Sequence, residues 1–446
     1  MKKDTNALLH FDLHILRHGD KVVWGIVVLL LIFSLLGVIS TSTIRQVNSI
    51  SSVFITFARD VLAGVTVMFA AYWLNYRLYR GLTWIAVVFS IGALFWAFTS
   101  GTVIGGQSAG RWVRVFGLSF QPSAFALIAM VMFTARYLEK YSRNPQRMLS
   151  WQRLTFDLWG PVLLMAALII PHNLSTGLIF LFTFYVVLLI GRYPLKHIVV
   201  SWALFAALGA MLFTAYTLKP EAFEGTRMST WMERVKNHTR RADTRQMSKS
   251  DLDKYRQVTA AKTAIALGGA LPAAGPGKSI QKYFLSQADS DFIFSILVEE
   301  YSVAGGAFIL LLFIVFAIRI TLQAFRVEDL FGLLVLCGLL CVIMCQAVIH
   351  TGVNVGMIPV TGQNLPFISS GGTSIIASCL MVGIMQKIIM NSREKTPCPA
   401  DAQPLSEGQD PDDAPQRESG DPHTEQDRPE PARQDESQGR QILENL

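Results

Sequence analysis

The sequence predicts an all-α, polytopic integral membrane protein with about ten transmembrane helices, one large extracytoplasmic loop and a disordered C-terminal tail. Three observations carry that expectation. Of 446 residues, 51% are hydrophobic and only 16% charged, against about 25% charged in soluble domains, and mean hydropathy is +0.38. The apolar residues gather in runs of roughly 20, the length at which a helix crosses a bilayer core. The last fifty residues are almost wholly Asp, Glu, Gln, Arg, Pro, Ser and Gly, a composition that cannot bury a core. An ordinary soluble enzyme is excluded.

The runs fall near residues 22–44, 53–74, 82–100, 119–137, 156–170, 174–190, 197–217, 291–322, 330–350 and 367–390. The fifth and sixth are short and meet at Pro171, His172 and Asn173, which reads either as a polar break lining a cavity or as a tight surface turn. Short loops on one side hold Lys2, Lys3, Arg17, Lys21, Arg77, Arg80, Arg136, Lys140, Arg143, Arg147, Arg153, Arg192, Lys196, Arg319 and Arg326. Positive charge marks that side as cytoplasmic. The expected organisation is a cytoplasmic N-terminus over 1–21, helices over 22–217, an outer loop over 218–290, helices over 291–390 and a cytoplasmic tail over 391–446. The basic start leads into a full-length apolar span with no small-residue cleavage site, so no cleavable signal is expected.

The net charge of +7 follows from these basic loops and not from nucleic-acid binding, for which no aromatic and basic platform is present. Cys337, Cys341 and Cys345 recur every four residues in one apolar run and read as packing residues. Within the outer loop, 221–257 reads as polar helix bearing Arg234, Lys236, Arg240, Arg241 and Arg245. That helix is either solvated or drawn to an anionic head group. Residues 264–279, rich in Gly, Ala and Pro, suit a close-packed or re-entrant loop.

Polar residues beside apolar spans are the candidates for chemistry, because each is costly in a bilayer unless paired or hydrated. Arg59 and Asp60 read as an ion pair or as a functional pair. The segment GGQSAGRWVRVFGLSFQ offers glycine backbone and Arg111, which suit a phosphate. QADSDFIFSILVEEY places Asp289 and Asp291 at the outer mouth of the eighth span, with Glu299 within about 80° of Asp291 around an ideal helix and Glu300 opposite. Asp291 suits a general base or a ligand to a hard cation, while Ser286, Asp289, Ser290 and Asp291 equally have helix-capping chemistry. QAVIHTGVNVGMIPVTGQNLPFISSGGTS concentrates Gln346, His350, Asn354, Thr361, Gln363, Asn364, Ser369 and Ser370 around two prolines. His350 reads as a proton shuttle or as a hydrogen-bonded structural group. No P-loop, zinc motif or serine elbow is present.

These four clusters resemble, in order, the signatures of the SEDS family of shape, elongation, division and sporulation proteins, exemplified by FtsW and RodA. PVTGQNLPFISSGGTS is similar to the family's PVTG-x-x-LPF-x-S-x-GG-[ST]-S, SDFIFSILVEE to TDFIFA-x-x-x-EE, RWVRVFGLSFQPS to its arginine-tryptophan and FQPS segment, and NLSTG to DLGT. The resemblance implies a peptidoglycan glycosyltransferase of the cytoplasmic (inner) membrane that polymerises lipid II at the outer face. Its implied partners are lipid II and undecaprenyl-linked glycan, a class B penicillin-binding protein that crosslinks the strand, and other divisome proteins. The family's essential aspartate falls on Asp291, as base or as ligand to Mg²⁺ or Mn²⁺. Arg59 and Arg111 are placed to stabilise the leaving pyrophosphate. Gln121, Ser123, Thr176, Gln346, Asn354, Thr361, Ser369 and Ser370 are the remaining candidates to bind substrate.

PVTG favours a septal, FtsW-like role over a RodA-like elongation role. The chain departs from the pattern at Ala124 and Leu127, which replace a glutamate and a lysine, and at Asp289, Asn173 and His350. The alternatives are therefore a lipid II transporter and a catalytically reduced divisome scaffold.

Overall fold

The computed structural model describes residues 19–42, 50–100, 111–115, 118–144, 154–223, 228–229, 231–232, 249–269, 274–285 and 288–395. The acidic tail and the cluster Arg234 to Arg245 lie outside the described residues. Ten apolar helices match the ten runs. They are α1 (Lys21–Ser42), α2 (Ile50–Trp73), α3 (Tyr76–Ser100), α4 (Pro122–Arg143), α5 (Gly160–Ile169, led by a π turn at Leu154–Trp159), α6 (Leu174–Ile190) and α7 (Leu195–Leu218), followed after one polar helix, α8 (Lys249–Gly268), by α9 (Ile293–Ala324), α10 (Leu330–Asn354) and α11 (Gly372–Lys395).

Seven of these are long and apolar enough to cross a membrane, α5 and α6 are shorter, and α4 carries Arg136, Glu139, Lys140 and Arg143 at its end. A two-stranded hairpin, β1 (Val113–Val115) and β2 (Leu118–Phe120), precedes α4.

Two boundaries differ from the hydropathy reading, each for a local reason. The fourth span begins at Pro122, not at residue 119, because proline fits the first helical position and Leu118–Phe120 pair as strand. The last span begins at Gly372, not at residue 367. Phe367 is buried with φ +66°, a left-handed conformation that a helix does not admit.

The core lies around α4 and α10. Most of α4 is buried, and it packs against α3, α6 and α10, while α11 packs along α2 and α9 along α1 and α10. Small residues permit close approach. A Cβ on Gly338 of α10 would meet Val131 of α4 at 2.5 Å, and one on Gly64 of α2 would meet Cys379 of α11 at 3.2 Å. Helix α7 is the exception, since only Ile198 and Ser201 are buried.

One end of the bundle is tied by ions. Asp20, fully buried, accepts from Arg319 Nε at 2.8 Å, Gln323 Nε2 at 2.5 Å and Arg393 Nη2 at 3.1 Å. Glu139 meets Arg80 at 3.2 Å, Arg136 at 3.1 Å and Arg143 at 3.0 Å.

At the other end the segment between α7 and α9 returns onto α9. Helix α8 runs to Gly268, and residues 274–282 then fold against Glu299 and Glu300. Ala274 N donates to Glu299 O at 3.2 Å, Gly275 N to Glu300 O at 3.1 Å, and Val303 N to Gly269 O at 3.0 Å. These bonds replace those α9 forgoes at Ser302, whose φ of 69° and ψ of 172° break the helix. Glu299 accepts from Ser279 Oγ at 2.5 Å and Ile280 N at 2.9 Å. Buried Lys282 donates to Ser40 O at 3.0 Å and Gly277 O at 2.7 Å.

The helical relation expected between Asp291 and Glu299 therefore does not hold. Asp291 precedes α9, and Glu299 and Glu300 are both engaged by the loop.

Candidate active site

The site is assembled from four element ends. The turn at 288–292 is held from the segment before α11: Ser369 Oγ donates to Ser290 O at 2.8 Å, Ser370 Oγ to Asp289 Oδ2 at 2.8 Å, and Ser370 N to Asp289 O at 3.0 Å. It is held again from α10. Asn354, completely buried, donates through Nδ2 to Asp291 O at 3.1 Å and to His350 O at 2.8 Å, while its Oδ1 accepts from Ser295 N at 3.1 Å and Ser295 Oγ at 2.6 Å.

Asn354 thereby caps α9 from another helix. The local residues with capping chemistry do not, because the cap position is Phe292 and no side chain there takes the bond.

Gly362 brings Asp291 and Arg111 together. Its φ of +67° favours glycine, and the point where a Cβ would stand lies 3.4 Å from Asp291 Oδ2 and 3.7 Å from Arg111 Nη1. A carboxylate and a guanidinium thus border one bare strip of backbone. Arg111 Nε also donates to His172 O at 2.5 Å, which fixes the junction between α5 and α6. That junction is part of the site. Asn173 Oδ1 accepts from Thr176 N at 3.3 Å, Thr176 Oγ1 accepts from Gln363 Nε2 at 2.8 Å, and Gln363 O accepts from His350 Nδ1 at 2.8 Å. His350 is 1% exposed and holds the chain at Gln363.

Beside Gly362 lies a small polar cleft, roomy enough for about two water-sized groups. Gln121, Thr176 and Gln346 line it, together with Gln363 and Asn364. The start of α11 supplies Ser374, Ala377, Ser378 and Met381, and α4 supplies Ala124 and Leu127.

The other candidates are placed apart from its walls. Ser123 is buried and accepts from Gln121 Nε2 at 3.1 Å. Asn354, Ser369 and Ser370 bond the turn that carries Asp291, and Thr361 Oγ1 is buried without a partner among the described residues. Arg59 pairs with Asp60 at 2.8 Å, with its side chain half exposed, and Asp60 lies against Gly372 at the start of α11.

Residues 374, 377, 378 and 381 were not singled out as a group by sequence reasoning. Their helical spacing, with hydroxyls at two of four positions, was the available signal.

The model of the FtsW/RodA/SpoVE family of cell cycle proteins matches residues 20–394. The chain belongs to this family. Stage V sporulation protein E of Bacillus subtilis (strain 168) is 30% identical over 382 residues, covering 84% of this chain and 98% of the relative. A probable peptidoglycan glycosyltransferase FtsW of Geobacter sp. (strain M18) is 27% identical over 383 residues, covering 84% and 97%. Among solved structures, the rod shape determining protein RodA of Thermus thermophilus superposes with a TM-score of 0.56 at 21% identity, covering 85% of this chain and 98% of that one. A structure reported under structural coordination of polymerization and crosslinking by a peptidoglycan synthase complex gives 0.63 at 22% identity, with the same coverage. This FtsW/RodA/SpoVE family member is accordingly a multi-pass membrane protein, and the matched region takes in α1 to α11.

Proposed function

We propose that the chain is a peptidoglycan glycosyltransferase that polymerises lipid II at the outer face of the cytoplasmic membrane, for septal synthesis. The observation that carries this reading is the placement of Asp291 and Arg111 next to Gly362, at the edge of a polar cleft. Transfer requires a base at an attacking hydroxyl and a cation at the departing phosphate. In the proposed step the acceptor sugar's 4-hydroxyl oxygen bonds to the donor's C1. Its proton passes to Asp291, and the C1–O bond to undecaprenyl pyrophosphate breaks with the electron pair leaving on phosphate. Arg111 faces that charge, and its bond to His172 O fixes the direction of the guanidinium.

Among the described residues no three His, Cys, Asp or Glu side chains gather, so Asp291 offers one carboxylate. That suits Mg²⁺ or Mn²⁺ taking its other ligands from substrate phosphates and water, where the ion would neutralise charge on the pyrophosphate.

The septal assignment draws on PVTG at Pro359 to Gly362 and on relatives named FtsW. The proposed orientation sets the Asp20 and Glu139 clusters at the cytoplasmic face, in keeping with the basic loops there. A class B penicillin-binding protein is the proposed partner, by analogy with the synthase complex whose fold this chain shares.

The test is lipid II polymerisation in detergent by the purified chain with its cognate transpeptidase, comparing wild type, Asp291→Asn and a chelated sample. Strands from wild type and none from an intact Asp291→Asn protein are expected. A partner-bound wild type that makes none across several metals and lipids overturns the reading.

A further inference from the structure

We infer that residues 278–284 are an interfacial anchor, in which Ile280, Tyr283 and Phe284 seat in the phospholipid leaflet at the Asp291 end of the bundle and Lys278 lies at the level of the lipid phosphates. The inference concerns the bilayer and does not rest on the glycosyltransferase reading. Three observations lead there.

The first is depth. Helix α1 has a charged cluster at each end. Asp20 meets Arg319 and Arg393 at one. At the other, Lys282 Nζ donates to Ser40 O and Ser40 Oγ donates to Glu300. Twenty residues of helix separate Asp20 from Ser40, a rise of about 30 Å, which is the thickness of a bilayer core. Helix α9 supplies a second ruler. From Arg319 to Glu300 it runs nineteen residues, about 28 Å. The segment that carries Lys282 therefore lies where the hydrocarbon ends.

The second is that this segment has two faces. Ser279, Lys282 and Leu285 are buried, every third residue, as the 3-10 turn at Gln281–Phe284 requires. Lys282 is 1% exposed, whereas Ile280, Tyr283 and Phe284 are 62%, 62% and 64% exposed. Lys278 is exposed as well. An aliphatic residue, two aromatic rings and a lysine, left open by their own chain at the edge of the core, have the composition of an element that lies in a membrane interface.

The third is that the anchor is firmly backed. Ser279 N donates to Glu300 Oε1 at 3.2 Å and Ile280 N to Glu299 Oε1 at 2.9 Å. Lys282 Nζ stands 5.5 Å from the centre of the Tyr283 ring, a cation–π contact that holds the ring against the segment. Leu285 then packs in one cluster with Ala288 and Phe292, on either side of Asp291. Seating the exposed face in lipid thus fixes the height of the Asp291 turn relative to the head groups.

The experiment attaches a nitroxide at Phe284→Cys in the full chain, its five native cysteines replaced by alanine, in vesicles of phosphatidylglycerol and phosphatidylethanolamine. Collisions with oxygen, which concentrates in lipid, are compared with collisions with a Ni²⁺ chelate, which stays in water. The same label at Asp253→Cys, an exposed position of α8, is the aqueous reference. We expect a severalfold higher oxygen-to-nickel ratio at 284 than at 253, equivalent to a depth of about 5–10 Å. Equal ratios overturn the inference. So does a label at 284 that stays open to the chelate until the partner transpeptidase is added, which makes the patch a protein contact. A second measurement keeps the native cysteines, in case the substituted chain fails to fold. Benzoylphenylalanine in place of Phe284 should give a phospholipid adduct on irradiation and in place of Asp253 none; a folded chain without the adduct at 284 also overturns the anchor.

Discussion

Replacing Asn354 with alanine tests whether Asp291 works because it is held. The amide makes four hydrogen bonds in a fully buried position, and two of them, to Asp291 O and from Ser295 N, fix the turn that carries the carboxylate. Alanine removes these two buried bonds, one to a backbone carbonyl and one from the N–H of a helix's first turn, at about 1 kcal/mol or more each. The remaining anchors, Ser369 to Ser290 O and Ser370 to Asp289, keep the segment in place, so the loss falls on the geometry of Asp291 and not on the fold. About 2 to 3 kcal/mol taken from the turn lowers turnover about 30- to 150-fold. The assay is lipid II polymerisation at saturating substrate, with partner binding and thermal midpoint as controls. Turnover within about threefold of wild type in a monodisperse, partner-bound Asn354→Ala protein refutes the positioning argument.

Gly362→Ala should lower polymerisation at least about fivefold, because a side chain in this left-handed backbone costs about 1 kcal/mol or more and its methyl group would stand against Asp291 and Arg111; the same strand-synthesis assay reads it. Arg111→Lys keeps the charge but loses the planar donor that reaches His172 O. We expect at least tenfold lower kcat/KM, about 1.4 kcal/mol, with a milder effect on thermal midpoint. Asp20→Ala leaves Arg319, Arg393 and Gln323 without their shared acceptor. It should destabilise the bundle by about 3 kcal/mol, read as a lower thermal midpoint, while strand synthesis at low temperature is preserved. Glu299→Gln weakens the acceptor for Ser279 Oγ and Ile280 N, and faster hydrogen exchange confined to residues 274–282 is its expected signature.

The ten helices were legible because an apolar run has few fates, and short ones such as α5 and α6 were betrayed by the polar junction at Pro171 to Asn173. What hydropathy could not see was backbone direction inside an apolar stretch. Phe367 reads as the start of a helix, yet it takes a positive φ and α11 begins only at Gly372. The site was legible as a set of segments and not as a set of roles. Asn354 and Ser369 stand out as polar residues beside a span, and nothing local says that they bond the turn at 288–292 instead of lining the cavity. Pairings such as Lys282 with Ser40 join residues far apart in the chain, and no spacing rule reaches that distance.

The break at Ser302 bears on how the chain enters the bilayer. Helix α9 carries two adjacent glutamates and free carbonyls into a run that must partition into hydrocarbon. An ionisable side chain in a membrane helix weighs against insertion, by on the order of 3 kcal/mol at the centre and less toward the end where Glu299 and Glu300 stand. The groups that relieve it, the N–H groups of Ala274, Gly275 and Ile280 and the hydroxyl of Ser279, all lie upstream and leave the ribosome first. The loop is thus a template already synthesised when its helix emerges. Shortening it would surface as failed integration of α9 during biogenesis before any enzymatic defect could be measured.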